Sequence, residues 1–120
     1  MNYFFIPQRE GALPHVKSFV ELLRSRWPQA QVEEVLDPLS THALEFDIPM
    51  PHSRVYGSLH REGRAVAFVG DVRDCAEFAL WCRSIIPSGE TAIFCDESMS
   101  GSLNLDASTT LASILRTFSE

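Results

Sequence analysis

The spacing of hydrophobic and polar positions changes several times along the chain, and each change marks a predicted element. Apolar residues recur at helical spacing after Pro14, a residue suited to the first turn of a helix, and this stripe predicts a helix near residues 14–27. Residues 44–48 instead alternate apolar and acidic side chains, which is typical of a strand with one face in water. Two further helical stripes predict helices near residues 72–86 and 109–118.

Seven short segments have the composition or the alternation of strands. They are Tyr3–Ile6, Gln31–Leu36, Leu44–Ile48, Val55–His60, Ala65–Val69, Thr91–Cys95 and Ser102–Leu105. The predicted order is β-α-β-β-β-β-α-β-β-α. Because consecutive strands with short connections favour antiparallel pairing, we expect an α+β fold. Residues 1–120 should form one domain, in which a mainly antiparallel sheet of five to seven strands carries three helices on one face.

Polar residues and a proline predict where the helices begin and end. Asp71 is a good N-cap for the second helix, and Asp74 follows three residues later, where an acid also stabilises a helix start. Pro87 ends the same apolar stripe. Ser108 or Thr109 can cap the last helix.

The composition is that of an ordinary soluble chain, with 45% hydrophobic and 22% charged residues. The longest apolar runs are far shorter than a membrane span, so we expect no membrane segment. The opening MNYFFIPQRE has neither a basic region nor a long apolar stretch, so we expect no secretory signal and a cytoplasmic location. The three cysteines, Cys75, Cys82 and Cys95, are predicted to be reduced core residues.

The net charge of −6 is spread unevenly. Residues 1–30 hold four basic and two acidic residues, whereas residues 31–120 hold six basic and fourteen acidic residues. A nucleic-acid partner requires the opposite balance and is not expected. An acidic surface suits solubility, a basic small molecule or a basic protein.

Two residues of the second helix fall at unexpected positions on a helical wheel. Arg83 lies nearer the apolar side, where its side chain either extends to solvent or pairs with a carboxylate, or binds an anion. Trp81 lies among Asp74 and Glu77, away from the centre of the apolar side. It either packs under a loop or is an exposed anchor for a partner.

No set of residues has the spacing of a metal or catalytic site. The four histidines are scattered, and neither His52 nor His60 has a carboxylate or cysteine at ligand spacing, so we expect no metal and no cofactor. Cys95 and Asp96 are adjacent in a strand and point to opposite faces, which disfavours Cys95 as a nucleophile. We assign no catalytic residue.

The runs FALWCRSIIPS, IFCDES and LNLDASTT, within residues 66–118, resemble a pattern found in small uncharacterised bacterial proteins. In that pattern an aromatic-rich helix ends in Arg-Ser-x-x-Pro-Ser before a strand that closes on Asp-Glu. In size, acidity and α+β layout the chain is also similar to immunity proteins of bacterial polymorphic-toxin systems. That resemblance implies a partner-binding role and transfers no site residue.

These observations favour a non-enzymatic cytoplasmic protein that binds a basic protein through an acidic surface, as an immunity protein or small inhibitor does. The predicted surface is on the second helix and comprises Asp71, Asp74, Glu77 and Trp81. The runner-up is a small enzyme or ligand-binding domain with a pocket around Arg83, His52, His60 and Asp96. A third interpretation is a self-associating subunit, such as a homodimer.

Overall fold

A computed structural model describes residues 2–98 and 101–118, which form seven strands and three helices. In chain order these are β1 (Asn2–Pro7), α1 (Val16–Arg26), β2 (Gln31–Glu34), β3 (His42–Pro49), β4 (Arg54–His60), β5 (Val66–Val69), α2 (Val72–Ser84), β6 (Ala92–Asp96), β7 (Ser102–Leu105) and α3 (Leu111–Phe118). The predicted α+β class and element order are confirmed. Residues 99 and 100, in the predicted connection between β6 and β7, lie outside the described residues.

The seven strands form one antiparallel sheet with the order β2-β3-β4-β5-β1-β6-β7. The first strand therefore lies inside the sheet, where Tyr3 pairs with Phe68 of β5 on one side and with Asp96 of β6 on the other. The other adjacent strands, β2 to β5 and β6 with β7, are consecutive in the chain, so short connections can join them.

All three helices cover the same face of the sheet. Phe78 of α2 packs on Phe46 of β3 and Phe68 of β5, with ring centroids 5.2 and 4.8 Å apart. On either side, Phe19 of α1 packs on Phe46, and Phe118 of α3 packs on Phe94 of β6. Because side chains alternate along a strand, this arrangement places one half of every strand in the core and the other half on the opposite face.

The helix ends follow from local hydrogen bonds. The Asp71 side chain accepts from the Arg73 amide, which confirms the predicted N-cap of α2. The expected cap of α3 at Ser108 or Thr109 is wrong. Thr110 caps this helix instead, since its Oγ1 accepts from the Ser113 amide while the Ser113 hydroxyl oxygen accepts from the Thr110 amide.

Gly57 of β4 leaves room for the aromatic layer. It lies between its cross-strand partners Phe46 and Phe68, and a Cβ atom added at this glycine would be 2.8 Å from a side-chain carbon of each. The nearest atom to the added Cβ would be the backbone carbonyl oxygen of Ala67 in β5. Atoms do not approach that closely without displacement, so the Phe46 ring and the pairing of β4 with β5 both depend on the absence of a side chain here.

Gly57→Ala should therefore lower the free energy of unfolding by about 2 kcal/mol, because the added methyl group overpacks a buried layer. Urea denaturation measures this loss. Gly89→Ala is the control, since nothing lies within 4 Å of a Cβ atom there. Equal midpoints for the two variants would contradict the packing described for Gly57.

Candidate functional site

Two of the acidic residues predicted to bind a partner on α2 form ion pairs within the chain. Both carboxylate oxygens of Asp71 accept hydrogen bonds from the Arg73 guanidinium, at 2.9 and 3.0 Å. These bonds hold the pKa of Asp71 well below its ordinary value. Glu77 pairs with Arg26 of α1 at 2.9 Å. A nearby cation therefore offsets the negative charge at both positions.

Asp74 does not lie on the outward side of α2, and its predicted placement is wrong. Its side chain is only 2% exposed, because the loop before β4 covers it. The Ser53 hydroxyl and the His52 amide donate to one carboxylate oxygen at 2.7 and 3.1 Å. The Ser53 oxygen in turn accepts from the Asp71 amide at 2.9 Å. Asp74 thus joins this loop to the start of α2.

Trp81 is half-buried at the contact between α1 and α2 and is not an exposed anchor. Its ring lies 5.5 Å from Phe19, 5.3 Å from Trp27 and 5.6 Å from Phe78, measured between centroids. The helical wheel located Trp81 away from the centre of the α2 core face, but α1 covers that flank. Trp81 is therefore part of the packing that joins the two helices.

Trp81→Ala should lower the free energy of unfolding by about 3 kcal/mol, because it removes three aromatic contacts. Thermal melts measure the loss, and Trp81→Phe should recover part of it. An alanine variant that melts like the unchanged protein would restore the exposed-anchor hypothesis.

The residues of the runner-up pocket do not converge. His52 precedes β4 and His60 ends it, so the strand separates the two rings by about 20 Å. Arg83 lies at the end of α2, whereas His52 contacts the start of this helix through Asp74. The fourth residue, Asp96, ends β6 and is 6% exposed. Because His52, His60 and Arg83 lie apart, the predicted pocket around Arg83, His52, His60 and Asp96 is wrong as a single site.

Arg83 serves the C-terminal end of α2. It is 5% exposed and donates to the Ser88 carbonyl at 2.6 Å and the Ile86 carbonyl at 3.4 Å. Both carbonyls belong to the turn that follows α2, so Arg83 ties this turn to the last turn of the helix. The Arg83 Nε is buried and has no hydrogen-bond partner among the described residues, so the two carbonyls satisfy only part of this guanidinium.

The three cysteines are free and buried, as predicted. Burial raises the pKa of the Cys75 thiol to about 12, with a further contribution from the negative charge of Asp74. Burial also raises the pKa of Cys82, and burial together with Asp96 raises that of Cys95. Each side chain is therefore held in the unreactive thiol form.

The face of the sheet opposite the helices is apolar at its centre. Its centre, on β1, β5 and β6, holds apolar side chains that are half-buried or exposed: Phe4, Ile6, Ala67, Val69 and Ile93. None of the three helices in the described part of the chain covers them. We call this surface the open face.

One edge of the open face is strongly acidic. Residues 31–49, which comprise β2, β3 and their connection and are called here the acidic hairpin, contain five acidic residues and no lysine or arginine. The net charge of this segment is −5, against −6 for the whole chain. Three of its acids, Glu33, Glu45 and Asp47, lie on the open face, where Asp47 pairs with Arg54 of β4 at 2.8 Å. Glu33 and Glu45 are cross-strand partners on the open face, and like charges in that position repel each other.

Two adjoining depressions connect the acidic edge with the apolar centre. The first, about 360 Å³, is lined by Glu33, Glu45, Asp47 and Tyr56 together with Gln31, Val32 and Phe46. The second, about 200 Å³, shares Glu45 and Tyr56 with the first and reaches Phe4. Tyr56 is half exposed and donates a hydrogen bond to Glu45 at 3.3 Å. The open face thus presents one groove with an acidic and an apolar end.

The sequence contained the signal for this site in the alternation of Leu44, Glu45, Phe46 and Asp47. The total charge of residues 31–120 does not reveal this site, because it also includes acidic residues outside the hairpin, such as Asp71 and Glu77, that pair with arginines.

Comparison with known protein families, curated proteins and solved structures finds no match for this chain. Within residues 2–98 and 101–118, no group of three or more histidine, cysteine, aspartate or glutamate residues is arranged to hold a metal ion. No helix in the same residues has the length and apolar character needed to cross a bilayer.

The negative charge of the acidic hairpin should be measurable at Tyr56. The carboxylate of Glu45 raises the pKa of this phenol, because ionisation would place a second negative charge beside the first. Glu45→Gln should therefore lower the pKa toward the ordinary value of 10.0 in an ultraviolet titration. Tyr3 should keep its raised pKa, which is due first to burial. An unchanged Tyr56 titration in this variant would contradict the assigned cause.

Proposed function

We propose that the protein is a non-enzymatic module that binds a basic protein through the acidic hairpin and the adjoining open face. The observation that carries this proposal is the net charge of −5 in one hairpin at the edge of the sheet, against −6 for the whole chain. The proposed surface therefore moves from α2, where the sequence located it, to β2 and β3.

The ion pairs of the chain support this choice. Outside the hairpin, Asp71, Glu77 and Glu90 each pair with an arginine. Within the hairpin, Asp47 pairs with Arg54 at 2.8 Å and Glu45 contacts His42 at 3.2 Å. Glu33 and Glu34, in contrast, pair with no cation among the described residues, so their charge remains available to a partner. Charge of this kind steers a basic partner toward the surface and speeds association.

The apolar end of the groove supports a protein as the partner. Stable protein interfaces combine an apolar centre with a polar rim. The open face has this arrangement, since Phe4, Ile6 and Ile93 occupy the middle strands while the carboxylates occupy one edge. A basic small molecule would satisfy the carboxylates but would leave the apolar strands uncovered.

A binding role is favoured over a catalytic one by where the polar residues lie. Arg83, Asp74 and Ser53 are occupied in holding helix ends and a loop, and the cysteines are kept as thiols. Binding and inhibition of a basic protein in the cytoplasm is the role of an immunity protein or small inhibitor, and we include that location and type of role in the proposal.

Glu33→Lys/Glu45→Lys should slow association with the partner about tenfold at low salt, because it reverses charge on the binding surface. The tagged protein is used to purify the partner from its source organism, and binding is then followed by surface plasmon resonance at several salt concentrations. The matched control is Glu10→Lys/Glu21→Lys, which changes net charge equally on exposed residues outside the hairpin. Equal slowing in both double variants would count against the acidic hairpin as the binding surface.

Self-association is the second candidate, and the exposed apolar side chains of β1 favour it. Light scattering after size-exclusion chromatography gives the oligomeric state. A dimer that persists in Glu33→Lys/Glu45→Lys and separates in Ile6→Asp would support a homodimer through the open face in place of a basic partner.

A further inference from the structure

The connection between β2 and β3 displays two leucines to solvent. Leu36 is 86% exposed and Leu39 is 90% exposed, whereas the other exposed large hydrophobic residues of the described chain range from 36% to 50%. Isolated surface leucines are ordinary, but two nearly complete exposures within four residues form a local apolar projection. We call residues 35–41 the leucine loop.

The leucine loop is held in one conformation by its own turn. Asp37 is followed by Pro38, a residue that favours turns by fixing its backbone angle. The Asp37 carboxylate accepts from the Leu39 amide and the Asp37 carbonyl accepts from the Ser40 amide, both at 3.0 Å. The turn therefore fixes the backbone between the two leucines.

Arg61, at the end of β4, fixes the loop from outside. Its Nε donates to the Ser40 carbonyl at 2.9 Å. The two hydrogens of its Nη2 are shared among the carbonyls of Val35, Asp37 and His42, at 2.9, 2.8 and 3.2 Å. One guanidinium thus holds both sides of the loop, so a partner would meet the leucines already ordered and would lose less entropy on binding.

The charges around the leucine loop favour one kind of binding partner over the others. Glu33, Glu34 and Asp37 flank the leucines, whereas the Arg61 guanidinium is turned toward the backbone carbonyls of the loop. A second copy of this chain would bring the same acidic residues against them, and the anionic surface of a bilayer would also be repelled. A protein surface with lysine or arginine at its edge is attracted.

We propose that Leu36 and Leu39 are the anchors of the interface, and that they insert into an apolar groove of the basic partner whose edge carries lysine or arginine. This inference rests on the proposed function and adds to it the apolar contact that supplies affinity. The carboxylates of the acidic hairpin determine the association rate, and the leucines determine the dissociation rate.

The test is Leu36→Ser/Leu39→Ser in the full chain, measured against the partner purified with the unchanged protein. Each leucine should contribute about tenfold to the dissociation constant, so the double variant should bind about 100-fold more weakly, mainly through faster dissociation. Because both side chains are exposed, its melting temperature should not change. Leu22→Ser is the matched control, since Leu22 is 41% exposed on α1 and lies outside the loop.

Arg61→Lys tests whether the order of the loop matters. A lysine cannot donate to four carbonyls at once, so hydrogen exchange at the Leu39 and Ser40 amides should accelerate and binding should weaken although both leucines remain. Arg64→Lys is the control, because Arg64 is exposed and pairs only with Glu62 among the described residues. Binding that is unaffected by faster loop exchange would show that the loop is not the anchor.

A photoreactive benzophenone side chain at residue 40 identifies what covers the loop. Support requires a crosslink to a basic protein at an apolar segment flanked by lysine or arginine, lost in Leu36→Ser/Leu39→Ser. A crosslink to a second copy of this chain overturns the inference. Unchanged affinity of the leucine variant, with slowed association of Glu33→Lys/Glu45→Lys, overturns the inference but leaves the proposed function. If neither variant differs from the unchanged protein, both proposals are wrong.

Discussion

The packing of Phe78 against the sheet is the contact on which the rest of the structure depends. This ring is fully buried, and its neighbours Phe46 and Phe68 come from strands on either side of Gly57. It holds α2 over the middle of the sheet, so α1 and α3 can only pack beside it on the same face. A layer of helices on one face leaves the other face to solvent or to a partner. The open face is therefore a consequence of the position of Phe46, Phe68 and Phe78 on the opposite side of the sheet.

Local patterns predicted the elements because each depends on residues close in sequence. The apolar spacing and the cap at Asp71 define α2 without reference to the remaining chain. The position of β1 inside the sheet was not predictable in this way, since it is decided by pairing with β5 and β6 far along the chain. A helical wheel likewise gives the direction of Asp74 and Trp81 from the axis of α2. It cannot reveal that a loop covers the first and that α1 covers the second.

The candidate site illustrates the same division between sequence and structure. The excess of acidic residues was evident from composition, but its location depended on which carboxylates the arginines neutralise. Arg73 and Arg26 neutralise Asp71 and Glu77, whereas Arg61 and Arg83 direct their donors to backbone carbonyls. Arginines used in this way form no ion pair with a carboxylate. Within the acidic hairpin, Asp47 pairs with Arg54 of β4, whereas Glu33 and Glu34 pair with no cation among the described residues, although nothing in the sequence around it distinguishes Glu33 from Glu77.

The central place of β1 has a consequence for how the chain reaches its native state. The strand partners of Tyr3 are Phe68 and Asp96, which follow it by 65 and 93 residues, so β1 cannot pair until these residues have been synthesised. While the chain is being synthesised, the continuous apolar run of β1 has no strand on either side, and the sheet can close only after β6 has emerged. Such long-range pairing slows folding and exposes an aromatic strand to chance encounters in the meantime. The interval before β6 appears is therefore the period in which the nascent chain most needs protection from aggregation.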